Sequence, residues 1–413
     1  MTKRRRVSTA LLKATLLFAS LGIAAFVGEV ALRLLGYQAI YEVYSKPDVL
    51  WQHDELLGWS HEPGTQTTYV GPRPWPVEFE SPVAINSLGL RGPELAPLPT
   101  DGLRVLFLGD SMVAGFEVAD DETFVAVAGR LLSEALQQPV QTVNAGVRGY
   151  GTDQAYLYFR ERGHVLQPHV VVMWLSTNDL VDDRTIHRMR RIFGKPAFVP
   201  EGASGLRLVG HPVPVYPECS ELAVSKDGEI LRLDSASGRL LCRLQTVLFD
   251  RSALFSYLTL LVPWEQWGDL LRSLYRLGVP SPTRPVIAES QGVEAPQGVT
   301  ERILRALARD AEARGARLVL VSTPHMFRRF SEAGVRFDGF ELVSLDAVEA
   351  ADPRVVQFVH DSHLTAKGHR IAAEVLRDAL LPILRERRAG AAGPAESDPS
   401  PGATDPEADS RSS

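Results

Sequence analysis

Several features that define whole classes of protein are scarce in this sequence of 413 residues. It holds two cysteines, Cys219 and Cys242, too few for a disulfide-rich scaffold or for a zinc site built from thiolates alone. Its formal net charge of -6 gives no broad positive field for holding phosphate backbones, so we expect no nucleic acid partner. No internal repeat is visible. With 45% hydrophobic and 23% charged residues, the bulk composition is that of a folded globular protein and excludes collagen, coiled coils and transporters.

The amino-terminal segment has the pattern of a membrane-targeting sequence. A basic cluster at residues 3–6 precedes an uncharged stretch from Ala14 to Gly28. Residues 10–35 are long enough to cross a bilayer, whose apolar core needs about 20 helical residues. The basic cluster predicts that residues 1–9 stay in the cytoplasm, with the rest of the chain on the periplasmic or cell-surface side. We interpret the segment as an uncleaved, single-pass transmembrane signal-anchor; a cleaved signal peptide and a buried core helix are the alternatives.

Beyond residue 100 the sequence alternates between short buried strands and helices. The predicted strands lie at 103–109, around Val143, at 170–173 and at 316–322. The predicted helices lie at 124–136, at 153–162 and at 303–313, and a C-terminal amphipathic helix includes residues 371–384. Continuous apolar strands separated by helices are typical of a parallel sheet covered on both faces. The pattern therefore predicts a three-layer α/β/α fold.

Composition divides the chain further. Residues 36–100, rich in Pro, Gly and Trp, are interpreted as an extracytoplasmic leader packed on the main domain. Residues 101–388 form that domain, with an insertion at about 184–298 that carries both cysteines. The two thiols can pair outside the cytoplasm or remain free and buried. Residues 389–413 are poor in apolar side chains and are expected to form a disordered acidic tail.

Polar residues follow the predicted strands, at the sheet edge where open α/β proteins bind ligands. Ser111 comes directly after the first strand, at the opening of a helix whose free N–H groups favour developing negative charge. Gly146 and Asn178 follow the next two strands, and His363 precedes the last helix. Each has an ordinary reading on its own, as a helix N-cap or a loop residue.

Taken together, these positions resemble the SGNH (GDSL-type) hydrolase superfamily. The four blocks are FLGDSMVAG, NAGVRGYGT, STND and DSHLTAKGH, in that order. DELLGWSHEPG and INSLGLRG, upstream, resemble the leader of membrane-anchored bacterial members. Two departures stand out: Ser176 replaces a frequent Gly, and Asp361 lies two rather than three residues before His363. The shorter spacing also occurs in relatives that resemble alginate O-acetyltransferases, which leaves transferase activity open.

The resemblance implies a flavodoxin-like SGNH-hydrolase fold and a serine esterase. It implies that Ser111 is the nucleophile, that His363 is the base and then the acid, and that Asp361 orients His363. The implied oxyanion donors are the backbone N–H groups of Ser111 and Gly146 and the side-chain amide of Asn178. The implied substrate is an acyl or acetyl ester of a lipid or a polysaccharide, with no cofactor.

Two other chemistries fit the residues less well. Val113 occupies the second Gly position of a G-x-S-x-G elbow, which disfavours an ordinary α/β-hydrolase. His360, Asp361, His363 and His369 could form a metal cluster. We expect no metal, because the resemblance already assigns His363 and because His369 falls inside the predicted last helix.

Three neighbouring residues are given structural roles: Asp110 and Asp179 in turns, and Thr365 as N-cap of the last helix. The leading interpretation of the whole sequence is a membrane-anchored, extracytoplasmic serine esterase. An O-acyltransferase acting on an envelope polysaccharide and a non-catalytic scaffold protein with the same fold are the alternatives.

Overall fold

The chain begins with a long helix, α1 (Thr2–Leu34), in a computed structural model of the protein. Within α1, Leu12–Leu34 is 23 residues long, has a mean hydropathy of 2.0 and has no buried residue in its apolar window. A buried core helix is therefore wrong, while a membrane span and a signal sequence both fit. The structure describes residues 2–37, 39, 50–71, 77–176, 178–186, 193–217, 219–220, 222–225, 227–232, 235–245, 251–261, 298–359 and 361–391.

Two antiparallel hairpins follow α1. The first pairs β1 (Trp51–Asp54) with β2 (Gly58–His61), and the second pairs β3 (Gln66–Val70) with β4 (Glu80–Ala84). Their apolar side chains pack on Phe116 of the main domain. The strands are only four or five residues long, which is too short for periodicity to reveal them in the sequence.

The remaining elements build the main domain. From residue 103 onward they are, in chain order, β5 (Leu103–Gly109), α2 (Ser111–Ala114), α3 (Phe124–Leu136), β6 (Val140–Gly146), α4 (Thr152–Glu161), β7 (Val170–Trp174), α5 (Asp179–Asp182), β8 (Ala197–Glu201), β9 (Gly205–Val209), β10 (Leu222–Val224), β11 (Ile230–Arg232), α6 (Ala236–Gln245), α7 (Ala253–Leu261), α8 (Val299–Ala313), β12 (Arg317–Ser322), α9 (Pro324–Glu332), β13 (Glu341–Ser344), α10 (Asp346–Ala350), α11 (Pro353–Val356) and α12 (Ala366–Ala391).

Five of these strands form one parallel sheet in the order β13-β12-β7-β5-β6. Numbered along the chain, this is the 2-1-3-4-5 order of flavodoxin-like folds. Successive side chains of a strand face opposite sides, so Leu106 and Leu108 pack with α4 and α8, whereas Val105 and Phe107 pack with α3 and α12. The predicted three-layer α/β/α fold is confirmed. The edge strand β13 escaped prediction because it has four residues, of which Val343 alone is buried.

The chain between α5 and α8 adds two small hairpins, β8–β9 and β10–β11, and the helices α6 and α7. Cys219 and Cys242 form a disulfide here, which decides between the two states left open by the sequence. Residues 187–192, 246–250 and 262–297 of this stretch lie outside the described residues.

The last helix, α12, begins where the sequence indicates. The Gly368 N–H donates to Thr365 Oγ1 at 3.2 Å, so Thr365 is the N-cap. The helix continues to Ala391, three residues past the predicted boundary at residue 388. The remainder of the predicted acidic tail, from residue 392, lies outside the described residues.

Candidate active site

Ser111 lies at the carboxyl edge of the sheet, where the chain turns sharply from β5 into α2. The turn needs a glycine, since Gly109 has a φ of 151° and a Cβ there would lie 2.7 Å from Val113 Cγ2. The Asp110 carboxylate accepts the Met112 N–H at 2.9 Å and so caps α2, the turn role that the sequence indicates. Ser111 is thereby held as the first residue of α2.

The turn before α12 supplies the second part of the site. Ser362 adopts a left-handed conformation with a φ of 65°. The Phe358 N–H donates to the His363 carbonyl and the Ser362 N–H donates to the Phe358 carbonyl, both at 2.9 Å. This hydrogen-bonded turn places Asp361 and His363 side by side, two residues apart in the chain.

Ser111, His363 and Asp361 form one hydrogen-bonded chain. His363 Nε2 lies 2.8 Å from Ser111 Oγ, across 252 residues of sequence. The other ring nitrogen, Nδ1, hydrogen-bonds the Asp361 carboxylate. The Asp361 side chain is buried, whereas the His363 side chain stays 16% exposed. The arrangement can remove the hydroxyl proton of Ser111 and keep the resulting imidazolium beside a carboxylate.

A second carboxylate, Glu117, and an arginine, Arg148, lie beside the histidine, and neither was predicted as a site residue. Glu117, in the loop after α2, has a fully buried side chain whose Oε1 lies 3.6 Å from His363 Nδ1. Arg148, in the loop after β6, donates a hydrogen bond to the same carboxylate. Glu117 Oε2 is buried without a hydrogen-bond partner in the described part of the chain. A charged residue in a loop carries no periodic signal, so nothing in the sequence placed Glu117 next to a histidine near the other end of the chain.

These charges decide the protonation states at the site. Burial acts to lower the pKa of His363, but the Glu117 and Asp361 carboxylates outweigh it, and the pKa is raised. Burial acts to raise the pKa of Asp361, but the His363 hydrogen bond and the charges of His363 and Arg148 outweigh it, and the pKa is lowered. Asp361 is therefore a carboxylate at neutral pH, and it can accept a hydrogen bond from the Nδ1–H group of His363.

The three predicted oxyanion donors are in different states. The Ser111 N–H has no hydrogen-bond partner among the described residues. The Gly146 N–H donates to Asn144 Oδ1 at 3.0 Å. The Asn178 amide donates to Asp182 Oδ2 at 2.8 Å. An oxyanion would meet a free donor at Ser111 and would compete with side-chain acceptors at the other two.

Gly146 has a second role, which is steric. The end of β6 passes so close to α2 that a Cβ on Gly146 would lie 2.5 Å from Val113 Cβ and 2.8 Å from Val113 C. Carbon atoms normally stay about 3.5 Å apart or more. The absence of a side chain at this position is thus what allows the helix that carries Ser111 to sit against β6.

Two residues of the leader hold the catalytic loops. The Glu78 carboxylate accepts the Val359 N–H at 2.7 Å and the Asp361 N–H at 3.3 Å, which fixes the turn before α12. Arg91, within the INSLGLRG motif, is buried and donates to the carbonyls of Ala114 and Val118, on either side of Gly115 to Glu117. The leader therefore forms part of the site's support.

His369 does not join Asp361 and His363 in the metal cluster that the sequence offered as an alternative. His369 is buried, accepts the Phe124 N–H at 3.1 Å on Nδ1 and stacks on the Phe124 ring, and burial lowers its pKa to about 3. His360 lies outside the described residues. Among the described residues, Glu117, Asp361 and His363 have ligand-type atoms within 4.8 Å of one another. Their side chains contact one another, Arg148 and, through His363, the Ser111 hydroxyl, as expected of an acid–base group.

A strand-end serine hydrogen-bonded to a histidine–carboxylate pair on a doubly wound α/β sheet is the architecture of a serine hydrolase. Residues 107–227 match the family model of the GDSL-like lipase/acylhydrolases. This stretch is a GDSL-like lipase/acylhydrolase domain, and the SGNH (GDSL-type) resemblance seen in the sequence is confirmed. The class of activity that follows is that of a hydrolase.

Two solved structures show a distant likeness to this chain. One is a catalytic mutant of an acetylxylan esterase from Geobacillus stearothermophilus, with 11% identity and a TM-score of 0.34, covering 67% of this chain and 94% of that chain. Another is the psychrotrophic esterase EstA from Pseudoalteromonas sp., with 12% identity and a TM-score of 0.34, covering 68% of this chain and 98% of that chain. Scores this low support no inference about substrate. Among curated protein sequences, none matches this chain.

Proposed function

We propose that the protein is a membrane-anchored serine esterase that cleaves acyl or acetyl esters outside the cytoplasm, through an acyl-enzyme on Ser111. The observation that supports this most directly is the unbroken hydrogen-bonded chain from Ser111 Oγ through His363 to Asp361. A non-catalytic scaffold protein would have no need of it.

In the first half of the reaction, Ser111 Oγ attacks the ester carbonyl while His363 Nε2 takes the hydroxyl proton. The carbonyl oxygen becomes an oxyanion, stabilised by the N–H groups of Ser111 and Gly146 and by the Asn178 amide. The tetrahedral intermediate collapses, and His363 gives its proton to the departing alcohol. Asp361 stays ionised throughout and stabilises the imidazolium.

In the second half, water attacks the acyl-enzyme and gives a proton to His363, which returns it to Ser111 as the carboxylic acid leaves. A sugar hydroxyl in place of water would give the O-acyltransferase reaction. The two-residue spacing between Asp361 and His363 favours keeping this as the second candidate, since the acyl-enzyme is the same and only the acceptor differs.

The location is supported by α1 and its flanking charges. Leu12–Leu34 is long and apolar enough to span a bilayer, and residues 3–6 are basic, which favours a cytoplasmic amino terminus. Protease added to cells with a permeable outer layer is expected to digest the region from residue 103 to 388 and to spare the amino terminus. A protected catalytic region would overturn the orientation.

The catalytic proposal is tested with the full chain in detergent on p-nitrophenyl esters from acetyl to long acyl chains. Ser111→Ala is expected to lower turnover by about 10⁴-fold or more. Ser362→Ala is the matched control, because Ser362 is an exposed serine one residue from His363. Fluorophosphonate labelling that requires Ser111, without hydrolysis, would indicate a transferase that lacks its acceptor. A protein neither labelled nor active would be the scaffold.

A further inference from the structure

Helix α7 is attached to the outer end of α1 by a side chain of α1. Glu29 accepts three hydrogen bonds from the start of α7: from Ser252 Oγ at 2.8 Å, from the Ala253 N–H at 3.1 Å and from the Leu254 N–H at 2.9 Å. The first N–H groups of a helix have no partner within the helix, and a carboxylate at this end is favoured by the helix dipole. Glu29 is therefore the cap of a helix more than 220 residues further along the chain.

Contacts on both sides of Glu29 extend this attachment along the two helices. Gly28 leaves room for Leu254, whose Cδ1 would lie 3.3 Å from a Cβ at that position. Arg33 pairs with Glu29 at 2.7 Å and donates to the Arg251 carbonyl at 2.8 Å.

Further out, the rings of Tyr37 and Tyr257 meet edge to face, with centroids 5.2 Å apart. The contacts between the two helices thus extend from Gly28 to Tyr37. The outer end of α1 and the start of α7 lie side by side.

The depth of this contact follows from helix geometry. Glu29 precedes Leu34, the last residue of the apolar span, by five residues, which at 1.5 Å per residue is about 8 Å along the helix axis. Helix α7 starts at this level, and its sequence, ALFSYLTLL, contains no charged residue. Interfacial helices bury their apolar face about 5–10 Å into the boundary between headgroups and acyl chains. The depth and the composition of α7 agree with that environment.

Glu29 itself fits such a position because it is paired. A lone carboxylate near the end of a membrane span is costly, and charged groups there are found with partners. Glu29 has the guanidinium of Arg33 and three donors from the start of α7.

We infer that α7 is a second membrane-binding element, which lies in the outer interface of the bilayer beside α1 and contacts lipid through its apolar side chains. Leu258, on α7, is 42% exposed and belongs to the surface that lipid would cover. Helix α7 lies in the chain between β5 and β12, within the domain that carries Ser111. Binding of α7 to the bilayer would therefore hold this domain at the membrane surface. The inference rests on the proposed anchoring by α1 and adds a lipid partner to it.

The test uses the full chain in lipid nanodiscs with spin-labelled lipids as quenchers. A fluorescent label is placed at Leu258→Cys, and a matched label at Val165→Cys, an apolar residue of the catalytic domain that is 67% exposed. The native cysteines are joined in the disulfide and do not take the label. We expect lipid quenching at position 258 and none at position 165.

The docking contact is tested in the same system. Glu29→Ala is expected to abolish or strongly reduce quenching at position 258. Ser20→Ala, in α1 at a side chain that donates to the Leu17 carbonyl, is expected to leave quenching unchanged. A chain that stays in the nanodisc with no quenching at position 258, or quenching that Glu29→Ala does not reduce, would overturn the inference alone. Release of the whole chain from the nanodisc would refute the anchoring as well. Fluorophosphonate labelling of Ser111, measured in parallel, reports separately on the esterase.

Discussion

Replacing Gly146 by alanine tests whether close packing places Ser111. The new methyl group would lie 2.5 Å from Val113 Cβ, whereas carbon atoms normally approach to about 3.5 Å. The overlap of about 1 Å has to be relieved by moving α2 away from β6. Ser111 begins α2, so its Oγ would leave its position 2.8 Å from His363 Nε2.

The expected cost has two parts. Overpacking of this size destabilises a protein by about 1–3 kcal/mol. A displacement of about 1 Å at the reacting atom lowers the rate by about 100-fold. Because alanine keeps the backbone N–H of position 146, the loss in rate would come from displacement of Ser111 and not from removal of an oxyanion donor.

Gly129→Ala provides the matched control for Gly146→Ala. Its Cβ would lie 2.5 Å from Thr142 Oγ1, a comparable overlap, but Gly129 is in α3 and away from Ser111. Both variants are assayed for kcat/KM on p-nitrophenyl acetate and for the free energy of unfolding in urea. We expect a loss of kcat/KM in Gly146→Ala only. Wild-type kcat/KM in Gly146→Ala, or an equal loss in both variants, would refute the steric argument.

Three further predictions concern charge and cross-linking. Glu117→Gln removes a negative charge beside His363, so the pKa of His363 falls and the acidic limb of the pH profile of kcat/KM moves to lower pH; an unmoved limb would contradict the assigned electrostatics. Lys195→Met leaves the buried carboxylate of Asp153 without its ion-pair partner, so the free energy of unfolding should fall by about 3–5 kcal/mol. An unchanged free energy of unfolding would contradict a stabilising role of this pair. Replacing both cysteines by serine opens a loop that spans 23 residues and should lower the free energy of unfolding by about 3 kcal/mol. No change in that free energy would mean that packing alone holds the loop.

The sheet and the position of Ser111 were predictable because their signals are local. A buried parallel strand is a continuous apolar run, and the residue that ends it lies at the ligand-binding edge of the sheet. Ser111 could be picked out in this way, whereas the roles of His363 and Asp361 were implied by the resemblance to the SGNH (GDSL-type) family. The turn role of Asp110 and the N-cap at Thr365 were equally predictable, because each residue lies next to its helix in the chain.

The support of the site was not predictable, because it depends on contacts between distant segments. Glu78 and Arg91 lie in a leader without periodicity, yet they bond the turn at Asp361 and the loop after α2. Glu29 has the sequence context of a charge at the end of a membrane span, and its bonds to α7 become visible only in the fold.

In each case a polar side chain forms hydrogen bonds with backbone groups that secondary structure leaves unpaired. The need for such a bond does not reveal which distant residue forms it, so the sequence cannot predict the pair. On the proposed function, the four motif blocks specify the chemistry of this protein. The leader and the stretch between α5 and α8 then determine how rigidly Ser111, His363 and Asp361 are held and where the domain lies. Substitutions in the blocks should act on turnover. Substitutions in the supporting contacts should act first on stability and on attachment to the membrane.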